Sequence, residues 1–502
     1  MPRLGLNILA NFAGRASTVL LAVLFTPLYI RFLGIEAYAL IGFYLTLQAS
    51  LGFLEMGLSR ACTREVARLT GADQGASQEV ADTVRTLEIV YWSVGILLGI
   101  MLTLAAPWIA THWLNASQLS PVQTVTAITG MAWVIALRWP MSLYAGVLTG
   151  LQRHIHLNIA FAATSIINAG GAVLVLWLVR ADITAYFQWQ VFAAGCAALA
   201  FALLARRMLP CRMQAGRYSS SRLRAVLGLS AGIGLNAMLG MCLRQADKLL
   251  LSALLSLEQF GYYAFASLVV SVVPIIADAV TNALFPRLSH AVGSGMPPAR
   301  IGALYHFGSQ IVAVAIIPLC VMLSLFPWEF VYAYTGDRSL ATQVAPVLSV
   351  LIVAKMLHAS MLAPYALQLA YGWVSLGMYV NVVSLAVFLP ILYILALNFG
   401  MLGAAFAWLL VTVGYVSVGV PLLHRRLLVG QAGSWMLRAL IVPSAVAAMV
   451  LLPLRWIASD SAGRIEFSVI LTAGTGFATI MIIVFTKPLK RRVLNFIRTQ
   501  FS

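Results

Sequence analysis

The chain has 502 residues, of which 61% are hydrophobic and 9% charged, with a formal net charge of +17. Soluble proteins carry about 25% charged residues, so the composition excludes a soluble enzyme, a disordered chain and a secreted disulfide scaffold. Continuous runs such as "IVAVAIIPLCVMLSLF" lack the polar alternation of a membrane barrel, which leaves an all-α polytopic membrane protein.

At about 20 apolar residues per crossing, the length accommodates about 14 transmembrane helices with short connections. They are expected at 8–30, 37–58, 86–106, 123–147, 157–179, 185–205, 227–252, 260–281, 303–326, 344–367, 375–397, 402–423, 437–457 and 465–486. The first carries Asn7, Asn11 and Arg15 rather than a clean apolar core with a cleavage site, so it is expected to stay in the mature protein.

Cations concentrate in the cytoplasmic loops of membrane proteins. With the N-terminus inside, the inside segments hold 22 Lys and Arg, from Arg3 through the 60–85 and 206–224 clusters to Arg498, and the outside loops hold 5. That bias predicts a multi-pass protein of the bacterial cytoplasmic membrane with both termini cytoplasmic. It also explains most of the net charge, which meets anionic headgroups and requires no nucleic acid. The basic run "KRRVLNFIR" after the last span reads as a membrane stop signal.

The basic, Ser-rich segment 206–226 divides six spans from the next six. The expected domains are an N-lobe at 1–205 (spans one to six), this cytoplasmic linker, a C-lobe at 227–424 (spans seven to twelve), and 425–502 with two extra spans and a basic tail. The two sides of the linker resemble each other. At an offset of 222, Glu36 meets Glu258, Tyr38 meets Phe260 and Phe43 meets Phe265. With one residue of slack, Glu55 meets Asp278 and Arg64 meets Arg287; further on, Pro140 corresponds to Pro364 and Asn158 to Asn381. Six spans is an even number, so both units enter the membrane from one side. That predicts two parallel six-helix lobes plus two C-terminal helices, and parallel-repeat transporters bind substrate near the midplane at the repeat interface.

Charges inside spans are costly and mark functional or paired sites. Five cations qualify: Arg15, Arg138, Arg244, Lys248 and Lys355. The bland alternative for each is snorkelling to a headgroup, which fits Lys248 best because it lies near a span end. Asp247 is the one anion deep within a span. This excess of cations favours an anionic substrate, and the guanidinium fork suits phosphate. Arg244, Asp247 and Lys248 stand at i, i+3 and i+4 on one helix face. There Asp247 is expected to hold both cations until a substrate diphosphate replaces it. Glu55 and Asp278 each precede an arginine, Arg64 and Arg287, by nine residues, which suggests a cytoplasmic gate or a helix-end salt bridge.

Other features are bland. The five cysteines are scattered and read as small apolar residues. His154 and His156 lack a carboxylate or cysteine nearby to complete a metal site. Trp108, Trp113, Trp328 and Trp456 read as interfacial belt residues, and Pro107, Pro140, Pro274, Pro318 and Pro364 as kinks. Neither a phosphate-binding GxxxxGK loop nor an HExxH zinc motif occurs. No catalytic residue, metal or cofactor is expected, and the coupling ion stays open between H+ and Na+.

The stretches "NILANFAGRASTVLLAVLFTPLYIRFLGIEAYALIGFYLTLQASLGFLEMGLSRACTREVARL", "PMSLYAGVLTGLQRHIHLN" and "DKLLLSALLSLEQFGYYAFASLVVSVV" resemble the opening, the fourth-to-fifth span junction and the second-lobe start of Wzx-type polysaccharide-transport flippases. This family shares a superfamily with lipid II flippases and multidrug exporters. The resemblance implies a V-shaped cationic cavity and alternating access. It implies as cargo an undecaprenyl-diphosphate-linked oligosaccharide, an O-antigen or exopolysaccharide repeat unit, moved to the periplasmic leaflet. It also places Arg15 and Asp247 at charged positions of the family pattern. Expected partners are membrane lipid, the lipid-linked oligosaccharide, and polysaccharide polymerase and glycosyltransferase proteins. The rival readings are a lipid II flippase or drug exporter of the same superfamily, a scaffold for polysaccharide assembly, and a membrane polymerase or ligase. The last resembles a class with a large periplasmic loop, which the short outside loops here do not supply.

Overall fold

The computed structural model describes residues 21–55, 57–71, 77–209, 216–457 and 464–485. Apolar stretches in lipid must satisfy their backbone groups internally, and an uninterrupted helix does so. Among the described residues the regular structure is helical, with one isolated bridge between Asn115 and Ser256. Among the described residues eleven helices are long and apolar enough to cross a membrane. The chain divides into two units, Met1–Gly261 and Tyr262–Ser502.

In the first unit, α1 (Leu21–Leu33) ends at Gly34, whose φ of +78° no side chain opposes. α2 (Ile35–Leu51) breaks into a tight turn at Gly52–Glu55, followed by the amphipathic α3 (Leu58–Gly71). Then come α4 (Ser77–Trp108), ending in a π-turn at Ile109–Trp113, α5 (Pro121–Gly150), α6 (His154–Leu178), α7 (Ile183–Met208) and α8 (Ser220–Leu254). The start of α5 is fixed by a capping box in which Ser120 and Gln123 satisfy each other's backbone N–H groups. Helix α5 is the core of the unit, packed on α3, α4 and α7. Small residues allow this: a Cβ at Gly150 would lie 2.8 Å from the Thr63 carbonyl. The seventh span, expected at 227–252, runs from Ser220 to Leu254 and packs in this unit against α2, α3 and α4.

The unit boundary falls inside α9 (Leu257–Val270). The second unit continues with α10 (Val272–Gly293), α11 (Pro298–Leu325), α12 (Pro327–Thr335), α13 (Arg338–Ser360) and α14 (Leu362–Ala370). Next is α15 (Val374–Gly414), running through a π-turn at Tyr415–Gly419 into α16 (Val420–Leu427). The continuous stretch Val374–Leu427 has 54 residues, about 80 Å if straight and far more than a bilayer of about 30 Å. Gly400, with φ +58° and ψ −136°, folds it into two antiparallel crossings. Phe388 and Trp408, twenty residues apart in sequence, consequently meet with ring centroids 4.6 Å apart. The chain ends, as described, with α17 (Ala432–Met436), a π-turn at Leu437–Ile441, α18 (Val442–Ile457) and α19 (Arg464–Phe485). These last spans pack on α11 and α12.

Two turns, one in each unit, share their backbone hydrogen bonding. The α5–α6 turn bonds Leu151 N to Val147 O, Gln152 N to Thr149 O and Arg153 N to Leu148 O. The α14–α15 turn bonds Tyr371 N to Leu367 O, Gly372 N to Leu369 O and Trp373 N to Gln368 O, the same pattern 220 residues on. Gln152 takes φ +57° where Gly372 takes +70°.

Candidate functional site

Of the five expected cavity cations, Arg15 lies outside the described residues. Arg138 stands on α5, twelve residues before Gly150, or roughly 18 Å along the helix. Its charge acts on the buried phenols of Tyr44 on α2 and Tyr186 on α7. The aromatic shelf around it includes Tyr29 packed on Tyr186 at 5.4 Å and Tyr44 on Phe187 at 5.9 Å. The Tyr44 hydroxyl is buried within reach of the Arg138 guanidinium. Among the described residues Arg138 makes no ion pair. A guanidinium deep in a span, with phenol neighbours and no ion pair among the described residues, can offer its fork to an anionic group.

On α8, Asp247 is 2% exposed. Lys248 Nζ lies 3.4 Å from its Oδ1 and donates to the Arg244 carbonyl at 3.1 Å. The ion pair thus joins sequence neighbours, Asp247 and Lys248, while the Arg244 side chain is exposed.

In the second unit Lys355 lies near the middle of the span Arg338–Ala370. Its Nζ sits 3.7 Å above the ring of Trp408, which is itself buried against Phe388. The indole face replaces part of the water the ammonium loses.

The expected Glu55–Arg64 pair is not formed. Glu55 accepts a hydrogen bond from Tyr91 Oη at 3.1 Å, and Arg64 is exposed on α3. Nor does Asp278 end its helix. It lies in the second turn of α10, which continues to Gly293, and Arg287 is on the same helix. Nine helical residues separate the two by about 13.5 Å, beyond ion-pair reach. Both are exposed.

Several polar residues escaped the sequence reading. Glu88 on α4 is buried and accepts from Arg85 Nη1 at 2.8 Å, Arg206 Nη2 at 2.8 Å and Tyr144 Oη at 2.7 Å, tying α4, α5 and α7 together. The i, i+3 spacing of Arg85 and Glu88 was a visible signal; the long-range partners were not. Glu36 is buried and accepts from the backbone N–H groups of Ser117 at 2.6 Å and Gln118 at 2.9 Å. The same loop is clasped to the α8–α9 junction by Asn115 N–H groups donating to the Ala253 and Leu255 carbonyls, and by Trp113 Nε1 donating to Ser252 Oγ at 2.9 Å.

The described part of the basic linker is docked. Arg222 pairs with Glu79 at 2.7 Å and Glu65 at 3.7 Å, and Arg217 N donates to Asp82 at 2.7 Å. The Arg68 hydrogen bond, more than any other group, holds the Glu65 carboxyl below the usual carboxylate range.

Residues 4–292 match the family described as "Polysaccharide biosynthesis protein". A Shigella flexneri protein named "Putative O-antigen transporter" is 19% identical over 403 residues, covering 80% of this chain and 93% of the relative. The fold is similar to that of the lipid II flippase MurJ in an inward closed conformation, with TM-score 0.72 and 12% identity over 96% of this chain and 99% of that one. It is also similar to an inward-facing multidrug resistance MATE family transporter of the MOP superfamily, with TM-score 0.66 and 14% identity over 88% and 96%.

Proposed function

The chain belongs to the polysaccharide biosynthesis protein family, and from that premise we propose that it flips an undecaprenyl-diphosphate-linked oligosaccharide across the bacterial cytoplasmic membrane. The movement is from the cytoplasmic to the periplasmic leaflet, by alternating access of two lobes, with both termini cytoplasmic. The observation that carries this reading is Arg138: a guanidinium in the middle of a span, ringed by phenols, with no ion pair among the described residues. Such a group favours a phosphate over a cationic drug. Lys355, seated on Trp408, adds a second cation at mid-span depth.

In this mechanism the diphosphate enters from the cytoplasmic side and draws the cations' fields onto itself. The polar sugars cross shielded from lipid, while the polyprenyl chain stays in it. Asp247 pairs with Lys248, and in this reading a substrate phosphate competes for that ammonium.

The test is a flipping assay in vesicles carrying the protein and a labelled undecaprenyl-diphosphate oligosaccharide, scored by accessibility of the sugar to an added lectin. The reading expects protein-dependent exposure of sugar. Equal exposure in protein-free vesicles overturns it.

A further inference from the structure

The expected sixth and twelfth spans end alike. Arg206 and Arg207 stand in the last turn of α7, and Arg425 and Arg426 stand in the last turn of α16, 219 residues on. The two pairs have opposite surroundings. Arg206 donates to the buried Glu88 carboxylate at 2.8 Å. At the offset of 220 that lays Pro107 and Trp108 on Pro327 and Trp328, the counterpart of Glu88 is Gly308. No Asp or Glu occurs between Asp337 and Asp460, a stretch that covers α13 to α18, and α11 has none either. Arg425 and Arg426 accordingly make no ion pair among the described residues. The first unit carries its own counter-ion for this arginine pair, and the second does not.

Arg426 is nevertheless held in place. Its guanidinium carbon lies over the Trp373 ring, 4.3 Å from the centroid, in the turn between α14 and α15. The indole orients the guanidinium without using its N–H donors. A fork fixed in this way and lacking a carboxylate is suited to the two oxygens of a phosphate.

A cleft opens beside this pair. Tyr365 and Gln368 line it from α14, Val380 from the second turn of α15, Tyr415 and Gly419 from the π-turn, and Leu423 from α16. Gly419 keeps it open, since a Cβ there would lie 3.2 Å from the Tyr415 ring. Gln368 Nε2 donates to the Trp373 carbonyl at 2.8 Å, so the wall of the cleft and the seat of the cation are bonded together. Tyr379 and Leu422, the sequence neighbours of two lining residues, are exposed, as side chains that meet lipid are.

We propose that this end of the second unit binds one anionic phospholipid, with its phosphate on the Arg426 fork and an acyl chain in the cleft. The lipid supplies to the second unit the counter-ion that Glu88 supplies to the first. Phosphatidylglycerol has the required chemistry: a phosphodiester with a single negative charge and no ammonium. A zwitterionic lipid brings its own cation to the same place and gains less. The cation bias puts this end in the cytoplasmic leaflet, whose anionic headgroups attract basic clusters of any arrangement. The site differs from that general attraction in depending on Arg426, which Trp373 orients, and not on Arg425. It stands independently of the flippase reading and requires only a chain that spans the membrane.

The test counts lipids. Protein purified in mild detergent is incubated with equal amounts of phosphatidylglycerol and phosphatidylcholine, and bound lipid is counted by native mass spectrometry. Wild type should retain one more phosphatidylglycerol than Arg426→Gln, whose preference for it over phosphatidylcholine should fall about fivefold. Arg425→Gln removes the same charge from the same surface and should retain the wild-type number. Trp373→Leu keeps the charge but removes its seat, and Val380→Phe fills the cleft with Arg426 in place; both should lose the lipid. Equal numbers in wild type and Arg426→Gln, or equal losses from Arg425→Gln and Arg426→Gln, overturn the site and leave only a general surface field. Displacement of the phosphatidylglycerol by an equal amount of undecaprenyl diphosphate also overturns it, because the site would then belong to the cargo.

Discussion

Replacing Glu88 by Ala should destabilise the first unit by about 3 kcal/mol. The carboxylate is 4% exposed at its side chain and takes three donors from three helices. Removing one partner of a buried ion pair costs about 3–5 kcal/mol. Arg85 and Arg206, however, are 45% and 47% exposed at their side chains, so water recovers part of their solvation. That reduces the ionic part to about 2 kcal/mol, and the stranded Tyr144 hydroxyl adds about 1 kcal/mol. The assay is denaturant unfolding in mixed micelles for Glu88→Ala, Arg206→Ala and the double variant. A coupling energy of at least about 1 kcal/mol is expected between the two sites. A Glu88→Ala protein within about 0.5 kcal/mol of wild type, the range of an ordinary surface change, would refute the reasoning and make the network a surface feature.

Gln152→Gly should raise stability by about 0.5–1 kcal/mol, because the left-handed backbone costs an L-residue about 1–2 kcal/mol and glycine gives back part of that in chain entropy; a loss on unfolding measurement contradicts the turn geometry. Trp408→Leu should lower transport more than Phe388→Leu, since it alone removes the ring under Lys355; equal losses would show that packing, not the cation, matters. The linker clamp should release in acid. Glu65 has a depressed folded value, so its contribution is present above the unfolded value of about 4.3 and is lost as pH falls through the folded one. Faster backbone hydrogen exchange at 216–222 below pH 4 checks it against the intrinsic pH dependence of a peptide standard, and unchanged protection there counts against the clamp.

Composition and hydropathy made the helical membrane fold legible, because lipid admits few alternatives for an apolar chain. The turn that Gln152 shares with Gly372 was not read from the sequence, because its offset of 220 departs from the 224 that joins Pro140 to Pro364. Helix ends were less legible as well. Asp278 was assigned to a terminus because the apolar run fades near residue 281, yet α10 continues to Gly293 as an amphipathic helix, which hydropathy does not register. The charges of α8 were found, but not the particular pairing of Lys248 with Asp247, since rotamers decide between neighbours on one face. Glu88 was passed over, and Glu36 was read only as a repeat match, because their partners lie 56 to 118 and 81 to 82 residues away.

The most direct test of the central claim is charge selectivity at Arg138. Wild type, Arg138→Lys and Arg138→Gln are compared in vesicles for flipping of an undecaprenyl-diphosphate oligosaccharide and of a neutral lipid bearing the same sugars. Loss of a charge-assisted contact of about 1.5–3 kcal/mol corresponds to a rate or affinity loss of roughly 10- to 100-fold. The account predicts that loss for Arg138→Gln with the diphosphate, partial rescue by Arg138→Lys, and equal protein levels in all three. Undiminished diphosphate flipping by Arg138→Gln at wild-type protein levels would contradict it.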